Sequence, residues 1–358
     1  MVDAIEKEFY SYCLAHNEPY LERIMHARRG NPIRHAYMQL LVQQECRRRQ
    51  GRPFHILEIG SWAGGSAITW AEAIKQFSSG GGIVVCIDKR EPHFEPWQCR
   101  EPGPYREMND ALSSRKIFEL FIHNIRASGH DDIVIPFKGW SDELLPLLGE
   151  NRFDVVFVDG NHAYASVLKD IRNAEPLLSE GGVICGDDLE LQVHELDLAY
   201  AEENRDKDYI RDPKTQKQYH PGVSLAVRDF FGEASAWEGF WAMREQKGCW
   251  QKVVLAGRLA DQAAIPRHLR AGKARNYLRF GEELYKAGRV ADAKEAFQRA
   301  CALDGDSAEV HKALAVVCRK LNSIQEAVWH ARLALEFEPH NAGAMAESAR
   351  KAGQNEYP

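Results

Sequence analysis

From residue 54 onward, short apolar runs alternate with segments of helical periodicity. The runs are HILEIG (55–60), IVVCID (83–88), DIVIPFKG (132–139), FDVVFVDG (153–160) and GGVICGDD (181–188). Strands that are apolar throughout and are separated by helices are typical of a parallel sheet that is covered on both faces. The pattern therefore predicts an α/β fold, with a doubly wound, Rossmann-like and mostly parallel sheet.

Two later runs, FWAMRE (240–245) and WQKVVL (250–255), flank a turn around Gly248. They predict an antiparallel hairpin that completes the sheet. Trp237, Trp241 and Trp250 lie in or next to these strands. Their context favours a place in the core over a substrate platform.

The two ends of the chain predict helices. Residues 3–50 form two or three amphipathic patterns, the last over about 32–50, where three arginines (47–49) are most simply charges at the end of a helix. Residues 274–307 and 308–341 align with an offset of 34 residues, which places Ala293 in register with Ala327. This period resembles two tetratricopeptide repeats, and a capping helix is expected over about 342–352.

These patterns predict three domains: an N-terminal helical cap (1–50), an α/β domain (51–258) and a repeat domain (259–358). Two repeats are fewer than the three or so that usually stand alone. We therefore expect the repeat domain to pack on the α/β domain or on another copy of the chain. Its simplest role is oligomerisation or the docking of a protein partner.

The composition of the chain excludes some classes of function. The 358 residues contain 46 Lys and Arg against 52 Asp and Glu, a net charge of −6, which offers no broad basic surface for nucleic acid. The eight cysteines include no CxxC pair, so we expect a reduced, cytoplasmic protein. No segment approaches the roughly 18 apolar residues of a membrane span, and we expect no membrane association.

A glycine-rich turn, within ILEIGSWAGGSAITWA (56–71), joins the first strand to a helix. Glycines at this position let a ligand approach the backbone, and the lack of a G-x-G-x-x-G pattern disfavours a nicotinamide or flavin cofactor. Asp88 ends the next strand, where a ribose diol would find a carboxylate acceptor. The alternative for Asp88 is a helix cap.

Three carboxylates end the last two parallel strands. Asp159 ends one, and the adjacent pair Asp187 and Asp188 ends the next. Parallel strands bring their carboxyl ends to one edge, and adjacent like charges need relief by a cation, solvent or a shared proton. Oxygen ligands favour a hard cation, with Mg²⁺ ahead of Ca²⁺ or Mn²⁺. The alternative is that these acids cap the segments that follow.

With these motifs, residues 54–255 resemble the class I S-adenosylmethionine-dependent methyltransferases of the metal-dependent, catechol O-methyltransferase-like kind. Four stretches carry the resemblance: ILEIGSWAGGSAITWA, IDKRE, FKGWSDELLP, and VDGNHAY with GGVICGDD. The resemblance implies Mg²⁺ ligands at Asp159, Asp187 and Asp188. It implies S-adenosylmethionine contacts at Glu58, Gly60, Ser61, Ser66, Asp88, Gly139, Trp140, Ser141, Asp142 and Asp159.

The chain departs from the catechol enzyme at His162, which stands three positions after the first ligand, where that enzyme has a lysine. His162 and Asp159 are the candidate catalytic residues. A histidine there is suited to act as a general base, and the alternative is a loop histidine satisfied by solvent.

Two segments are longer than in the catechol enzyme, and we call residues 91–110 the first insertion and residues 190–220 the second insertion. We expect the first to be ordered and non-helical next to the ribose, and the second to be a solvated loop or a lid over substrate. The acceptor stays open, although similar enlarged members act on sugars, glycosides and other natural-product hydroxyls.

The leading hypothesis is a Mg²⁺-dependent O-methyltransferase acting on a hydroxyl of a small molecule. A cephalosporin hydroxylase-like tailoring enzyme is an alternative, because such proteins share the cofactor and acidic motifs. A cofactor-binding scaffold that recruits a partner through its repeats is a third possibility, against which the intact acidic triad argues.

Overall fold

The chain folds into two compact units. A computed structural model describes residues 3–28, 30–49, 51–94, 96, 98–255 and 267–338, with side chains from residue 272 in the last range. The α/β unit is Pro19–Ile265, and the helical unit combines Met1–Glu18 with Pro266–Pro358. The predicted boundary near residue 258 and the predicted capping helix over 342–352 lie outside the described residues.

A mixed sheet forms the centre of the α/β unit. Its strands are β1 (Phe54–Ile59), β2 (Gly82–Asp88), β3 (Val134–Lys138), β4 (Phe153–Val158), β5 (Leu178–Leu189), β8 (Ser235–Trp237), β9 (Gly239–Gln246) and β10 (Cys249–Lys252). The order across the sheet is β10-β9-β5-β4-β1-β2-β3, and β8 pairs with β9. β1 to β5 run parallel, whereas β9 is antiparallel to β5 and to β10. The predicted mostly parallel α/β sheet is confirmed.

The apolar strands serve two cores, one on each face of the sheet. Alternate residues of β1 point to opposite faces, so that Ile56 lies in one core and Leu57 in the other. Helices α2 (Pro32–Arg48), α3 (Gly65–Phe77) and α5 (Lys116–Ala127) cover the first face. Helices α7 (Tyr164–Ala174) and α9 (Pro221–Phe231) cover the second. Burial on both faces explains why the strands lack a polar alternation.

The late hairpin is present as predicted. β9 and β10 pair through Met243 and Lys252, and the turn contains Gly248 in the left-handed region at φ +77°. Trp241 is fully buried, and Trp237 and Trp250 are half-buried against the two cores. The three tryptophans therefore belong to the packing of the sheet.

The first insertion differs from its prediction. Helix α4 (Pro104–Ser113) takes up its last residues, which were expected to be non-helical. Proline is tolerated at the first turn of a helix, where its missing N–H has no partner to lose, so Pro104 begins this helix instead of excluding it. The second insertion contains the short helix α8 (Leu198–Glu203) and a small antiparallel pair, β6 (Ile210–Arg211) with β7 (Gln218–Tyr219). A further short helix, α6 (Ser141–Leu144), follows β3.

The helical unit contains α1 (Ala4–Ala15), α10 (Arg267–Lys286), α11 (Val290–Leu303), α12 (Ala308–Lys320) and α13 (Ile324–Phe337). The offset seen in the sequence recurs in the helices, since α13 begins 34 residues after α11 (324 − 290) and ends 34 residues after it (337 − 303). Gly281 of α10 lies against the Phe297 ring, where a Cβ would come within 2.5 Å of a ring carbon. A small residue is therefore needed for these helices to approach.

Helix α1 belongs to the helical unit, whereas the sequence placed it with α2 in a cap over residues 1–50. The rings of Phe9 and Tyr277 stack with centroids 3.8 Å apart, and Tyr12 lies against Phe280. The apolar face of α1 is thus buried against α10, which sequence periodicity alone does not specify. Across the described residues, no helix combines the length and apolarity that crossing a membrane requires.

Candidate active site

The carboxyl ends of the parallel strands open into a cavity of about 770 Å³, a size in the range of small-molecule sites. The order of the strands reverses between the parallel neighbours β1 and β4, and such a switch point is where open α/β sheets bind ligands. All the predicted cofactor residues except Glu58 line this cavity: Gly60, Ser61, Ser66, Asp88, Gly139, Trp140, Ser141, Asp142 and Asp159. His162 and Asp187 line it as well.

Gly60 marks the close approach of two strand ends. Its φ is +87°, and a Cβ there would lie 2.0 Å from the carbonyl oxygen of Asp159. Its N–H donates to the carbonyl of Ile87 at 2.8 Å. Only glycine fits both the backbone angle and the space, so this residue fixes the ends of β1, β2 and β4 together.

Asp88 organises the glycine-rich turn and does not cap a helix. Its carboxylate accepts the backbone N–H groups of Ser61 at 3.2 Å, Trp62 at 3.0 Å and Arg90 at 3.0 Å. Arg90 is buried, donates to the Ser61 hydroxyl at 2.7 Å and lies 4.5 Å from the centre of the Phe121 ring. Sequence analysis missed Arg90, because a lysine–arginine pair after a strand reads as surface charge.

Glu58 lies fully buried within β1, behind the cavity lining. The thiol of Cys86 donates to its Oε2 at 3.1 Å, whereas Oε1 meets no hydrogen-bond partner among the described residues. Burial raises the pKa of Glu58 to about 8, against the nearby Ser66 hydroxyl and the Cys86 thiol, which lower it. An unpartnered buried carboxyl oxygen is costly and is a natural place for a ligand donor.

The predicted adenine-side loop is held from two directions. The N–H of Gly139 donates to the carbonyl of Asp88 at 3.2 Å, which joins this loop to the ribose side. Ser141 donates to Asp170 at 2.6 Å, and Asp142 pairs with Lys169. The Trp140 ring is half-exposed at the cavity.

Arg34 of α2 lies between two of the predicted carboxylates, Asp187 and Asp188, at the edge of the sheet. Nη1 of Arg34 is 2.7 Å from Oδ1 of both Asp187 and Asp188, and Nη2 is 3.0 Å from Oε1 of Glu190. Burial would lower the pKa of Arg34, but these carboxylates raise it well above its ordinary value. The guanidinium is therefore a fixed positive charge at the site.

The two adjacent aspartates titrate in opposite directions. Burial and the charge of Asp188 raise the pKa of Asp187 well above its ordinary value. Burial would raise the pKa of Asp188 as well, but His162, His220 and Arg34 hold it well below the usual range. Asp188 adopts φ +65°, in the left-handed region that few non-glycine residues occupy. The pair thus relieves its repulsion through neighbouring cations.

Among the described residues, three groups of possible metal donors are compact, and none contains all three predicted ligands: Asp159, His162 and Asp188; His162, Asp208 and His220; and Asp188, Glu190 and His220. Among the described residues, ligand atoms of Asp159, His162 and Asp188 lie within 4.8 Å of one another, whereas Asp187 belongs to no such group. Asp187 instead forms an ion pair with Arg34 and accepts the N–H of Asp188 at 2.9 Å. The difference arises because Arg34, which is 154 residues distant from Asp188, enters the cluster.

His162 is held by both of its ring nitrogens. Nδ1 lies 2.7 Å from Oδ1 of Asp208, and Nε2 lies 3.1 Å from Oδ2 of Asp188 and 3.9 Å from Asp159. Tyr105 donates to the other oxygen of Asp208 at 2.8 Å. Burial would lower the pKa of His162, but these three carboxylates raise it well above its ordinary value. The histidine is a structured member of the site and not a solvated loop residue.

The two insertions meet at this point, because Tyr105 comes from the first and Asp208 from the second. His220, at the end of the second insertion, lies 3.2 Å from Glu190, and its ring centre is 4.5 Å from that of His162. Both segments therefore contribute to the cavity wall. The sequence analysis identified the two insertions as ranges, but it assigned no role to Tyr105, Asp208, His220 or Glu190.

Residues 57–189, from β1 to the end of β5, match the model of a family described as a methyltransferase domain. This segment is therefore similar to a methyltransferase domain. Apart from Ile56, the motifs that predicted this similarity lie within the match, whereas Arg34, Asp208 and His220 lie outside it. The candidate site thus includes side chains from segments before and after the matched one.

Three solved structures illustrate distant likenesses. The O-methyltransferase of Bacillus cereus in complex with S-adenosylhomocysteine is 20% identical over 67% of this chain and 88% of its own, with a TM-score of 0.38. The O-methyltransferase TomG of Streptomyces achromogenes, involved in tomaymycin synthesis and bound to S-adenosylmethionine, is 18% identical over 67% and 87%, with a TM-score of 0.36. The O-methyltransferase NovP is 18% identical over 60% and 81%, with a TM-score of 0.40. A comparison with curated protein sequences finds no significant match.

Proposed function

We propose that the methyltransferase domain transfers the methyl group of S-adenosylmethionine to a hydroxyl oxygen of a small molecule. The observation that carries this proposal is the arrangement around the cavity. His162, with its carboxylate partners, lines the cavity at the carboxyl ends of the strands. The glycine-rich turn and the loop after β3 line the same cavity. A nucleophile and a methyl donor would therefore meet at the ends of β4 and β5.

The residues of the turn fit the methyl donor. Behind the turn, Oε1 of Glu58 in β1 has no hydrogen-bond partner among the described residues, and a cofactor ammonium group that reached it would favour the charged form of this carboxyl. Asp88 accepts three N–H groups, and a carboxylate has about four acceptor positions, so it retains capacity for a ribose hydroxyl. Trp140, half-exposed at the cavity, offers a face for the adenine base.

His162 is the candidate general base. Methyl transfer forms a carbon–oxygen bond to the acceptor, breaks the carbon–sulfur bond of the sulfonium, and leaves the hydroxyl proton for a base. The contact with Asp208 fixes the ring through Nδ1 and directs Nε2 toward Asp159 and Asp188. Because these acids favour the protonated ring, a cation held by Asp159 or Asp188 would make His162 better able to accept the proton.

We propose Mg²⁺ as that cation. Asp159 and Asp188 fit as oxygen ligands, and Asp187 would join them once Arg34 leaves it. Carboxylates are the ligands that Mg²⁺ prefers, and a bound Mg²⁺ would lower the pKa of an acceptor hydroxyl and orient it. The chain's own contribution is to hold the carboxylates at one edge and the histidine beside them.

The acceptor we propose is a sugar, a glycoside or another natural product rich in hydroxyl groups. Polar side chains from the two insertions support this choice, since Gln98, Tyr105, Asp206 and Asp208 line the cavity. Such groups exchange hydrogen bonds with hydroxyls, whereas an apolar slot would favour plain phenols.

The test is to incubate the full chain with Mg²⁺, S-adenosylmethionine and panels of sugars, glycosides and phenols, and to weigh the products by mass spectrometry. A product heavier by CH₂ supports methyl transfer. A product heavier by one oxygen atom would instead favour the hydroxylase alternative. Full activity after treatment with EDTA would reject the metal, and His162→Gln should lose activity while it keeps its affinity for S-adenosylhomocysteine.

We further propose that α10 to α13 are two tetratricopeptide-like repeats. The 34-residue offset between α11 and α13 and the close contact of Gly281 with Phe297 support this assignment. Helix α1 supplies packing that two repeats alone would lack. A role in self-association or in docking a partner is tested by light scattering of the full chain, where a mass equal to one chain would exclude a stable oligomer.

A further inference from the structure

Arg34 occupies the centre of the acidic cluster that the metal proposal uses. Its side chain is 15% exposed and reaches Asp187, Asp188 and Glu190 at 2.7, 2.7 and 3.0 Å. An arginine at the surface would exchange such partners with water, but here three carboxylates hold one guanidinium. This arrangement is independent of the family match, because α2 precedes residue 57.

The backbone on the other side of the site makes room for the guanidinium. The carbonyl of Glu238 accepts from Nε of Arg34 at 2.6 Å, and the next residue is Gly239 with φ +96°. A Cβ on Gly239 would lie 2.3 Å from Nη2 of Arg34. Glu238 itself is in the left-handed region at φ +53°. This turn between β8 and β9 is therefore shaped around Arg34.

Nη1 of Arg34 occupies the space between the two aspartates that the proposed metal would use. It is 2.7 Å from Oδ1 of Asp187 and from Oδ1 of Asp188. Because Mg²⁺ binds carboxylate oxygens at about 2.0–2.1 Å, an ion held by both aspartates would compete with the guanidinium for the same oxygens. Two positive charges at this separation also repel each other.

We propose that the guanidinium of Arg34 is an internal cation that occupies the place of the metal between Asp187 and Asp188. A divalent ion then binds both aspartates only when the guanidinium moves away from them. Glu190 and the Glu238 carbonyl remain as its partners after withdrawal. This inference rests on the proposed metal site. It assigns Arg34 a positioning role: the residue keeps the carboxylates converged before the metal arrives and weakens the affinity for the metal.

The experiment titrates the full-length protein with Mn²⁺ and follows free Mn²⁺ by electron paramagnetic resonance. Arg34→Met removes the charge and should bind Mn²⁺ at least tenfold more tightly than the wild type. Arg34→Lys keeps a charge and should stay within about threefold of the wild type. Without metal, Arg34→Met should unfold at a lower temperature, and Mn²⁺ should raise its unfolding temperature more than it raises that of the wild type.

Gly239→Ala tests whether the position of the guanidinium, and not only its charge, keeps the metal out. The added methyl group would displace the guanidinium of Arg34, while the positive charge is retained. Circular dichroism first establishes that this variant is folded, since its backbone angle is strained for alanine. Tighter Mn²⁺ binding by Gly239→Ala supports the proposal that the guanidinium excludes the ion. Unchanged Mn²⁺ binding by the folded variant overturns that proposal.

Equal or weaker binding by Arg34→Met, or no Mn²⁺ binding by any variant, also overturns the inference. These titrations need no acceptor and no turnover. A failure of the methyl-transfer assay would therefore be read separately from a failure here.

Discussion

The contact between Asp208 and His162 gives the most informative functional prediction. The 2.7 Å contact joins the carboxylate of Asp208 to Nδ1 of His162, and hydrogen bonds to charged groups contribute roughly 1.5–3 kcal/mol. If the bond orients His162 in the transition state, Asp208→Asn should lower kcat by roughly 10- to 150-fold, since each 1.36 kcal/mol is tenfold in rate. The amide keeps the shape of the side chain but loses its charge and can favour the wrong ring tautomer.

The assay compares kcat and KM for methyl transfer with the affinity for S-adenosylhomocysteine measured by calorimetry. The cofactor affinity should stay within about twofold, because Asp208 is not among the residues assigned to the cofactor. Tyr105→Phe is the matched control, since it leaves the charge of Asp208 and removes one donor at 2.8 Å. Its loss should be smaller, about three- to tenfold, in line with a single hydrogen bond of about 0.5–1.5 kcal/mol.

Two results would refute this reasoning. A kcat for Asp208→Asn within threefold of the wild type would show that the contact does not orient a reacting group. A fall in cofactor affinity equal to the fall in kcat would show a general disturbance of the cavity.

The same variant has a consequence for pH that requires no acceptor. The pKa of His162 is raised in the folded state, so its contribution to stability is present at low pH and is lost as the pH rises through that raised pKa. Asp208→Asn removes one of the carboxylates that raise this pKa. The loss of stability on the alkaline side should therefore begin at a lower pH, as measured by unfolding temperature across a pH series.

Three further predictions concern the framework. Gly60→Ala should abolish S-adenosylhomocysteine binding in calorimetry, because its Cβ would collide with the backbone of β4. Glu45→Ala should lower the free energy of unfolding by about 3–5 kcal/mol in urea titrations, because it leaves the buried Arg244 without its paired carboxylate. The double variant Glu45→Met with Arg244→Met removes both charges and should recover most of that loss. Phe9→Ala should lower the free energy of unfolding of the helical unit by about 3–5 kcal/mol, because it leaves a cavity beside Tyr277. Hydrogen exchange would show this loss as faster exchange of the amide hydrogens of that unit.

The sequence predicted those features that depend on local pattern. Continuous apolar runs identified the parallel strands, and the ends of those runs placed Asp88, Asp159 and Asp187 at one edge. The turn after β1 was also readable, because Gly60 meets a steric requirement that only glycine satisfies. These inferences need only the spacing of apolar residues along the chain and the rule that the carboxyl ends of parallel strands lie at the same edge of a sheet.

The partners of the site residues were not predictable in the same way. Asp208 lies 46 residues from His162 and 103 from Tyr105, and Arg34 lies 154 residues from Asp188. Periodicity indicates which face of an element is buried, but it does not indicate which distant charge will meet another. Arg34 is one such distant cation, and the pattern that predicted Asp159, Asp187 and Asp188 as ligands gave no sign of it.

The discontinuity of the helical unit has a consequence for the order of folding. Its N-terminal segment, which ends at Glu18, leaves the ribosome before the α/β unit, whereas the packing partners of this segment in α10 follow the α/β unit. Domains generally form as their residues emerge during synthesis, so the α/β unit can be complete while α1 still lacks the surface that buries Phe9. A nascent chain stalled before α10 should therefore expose this helix to a protease or a chaperone, and release of the finished chain should protect it.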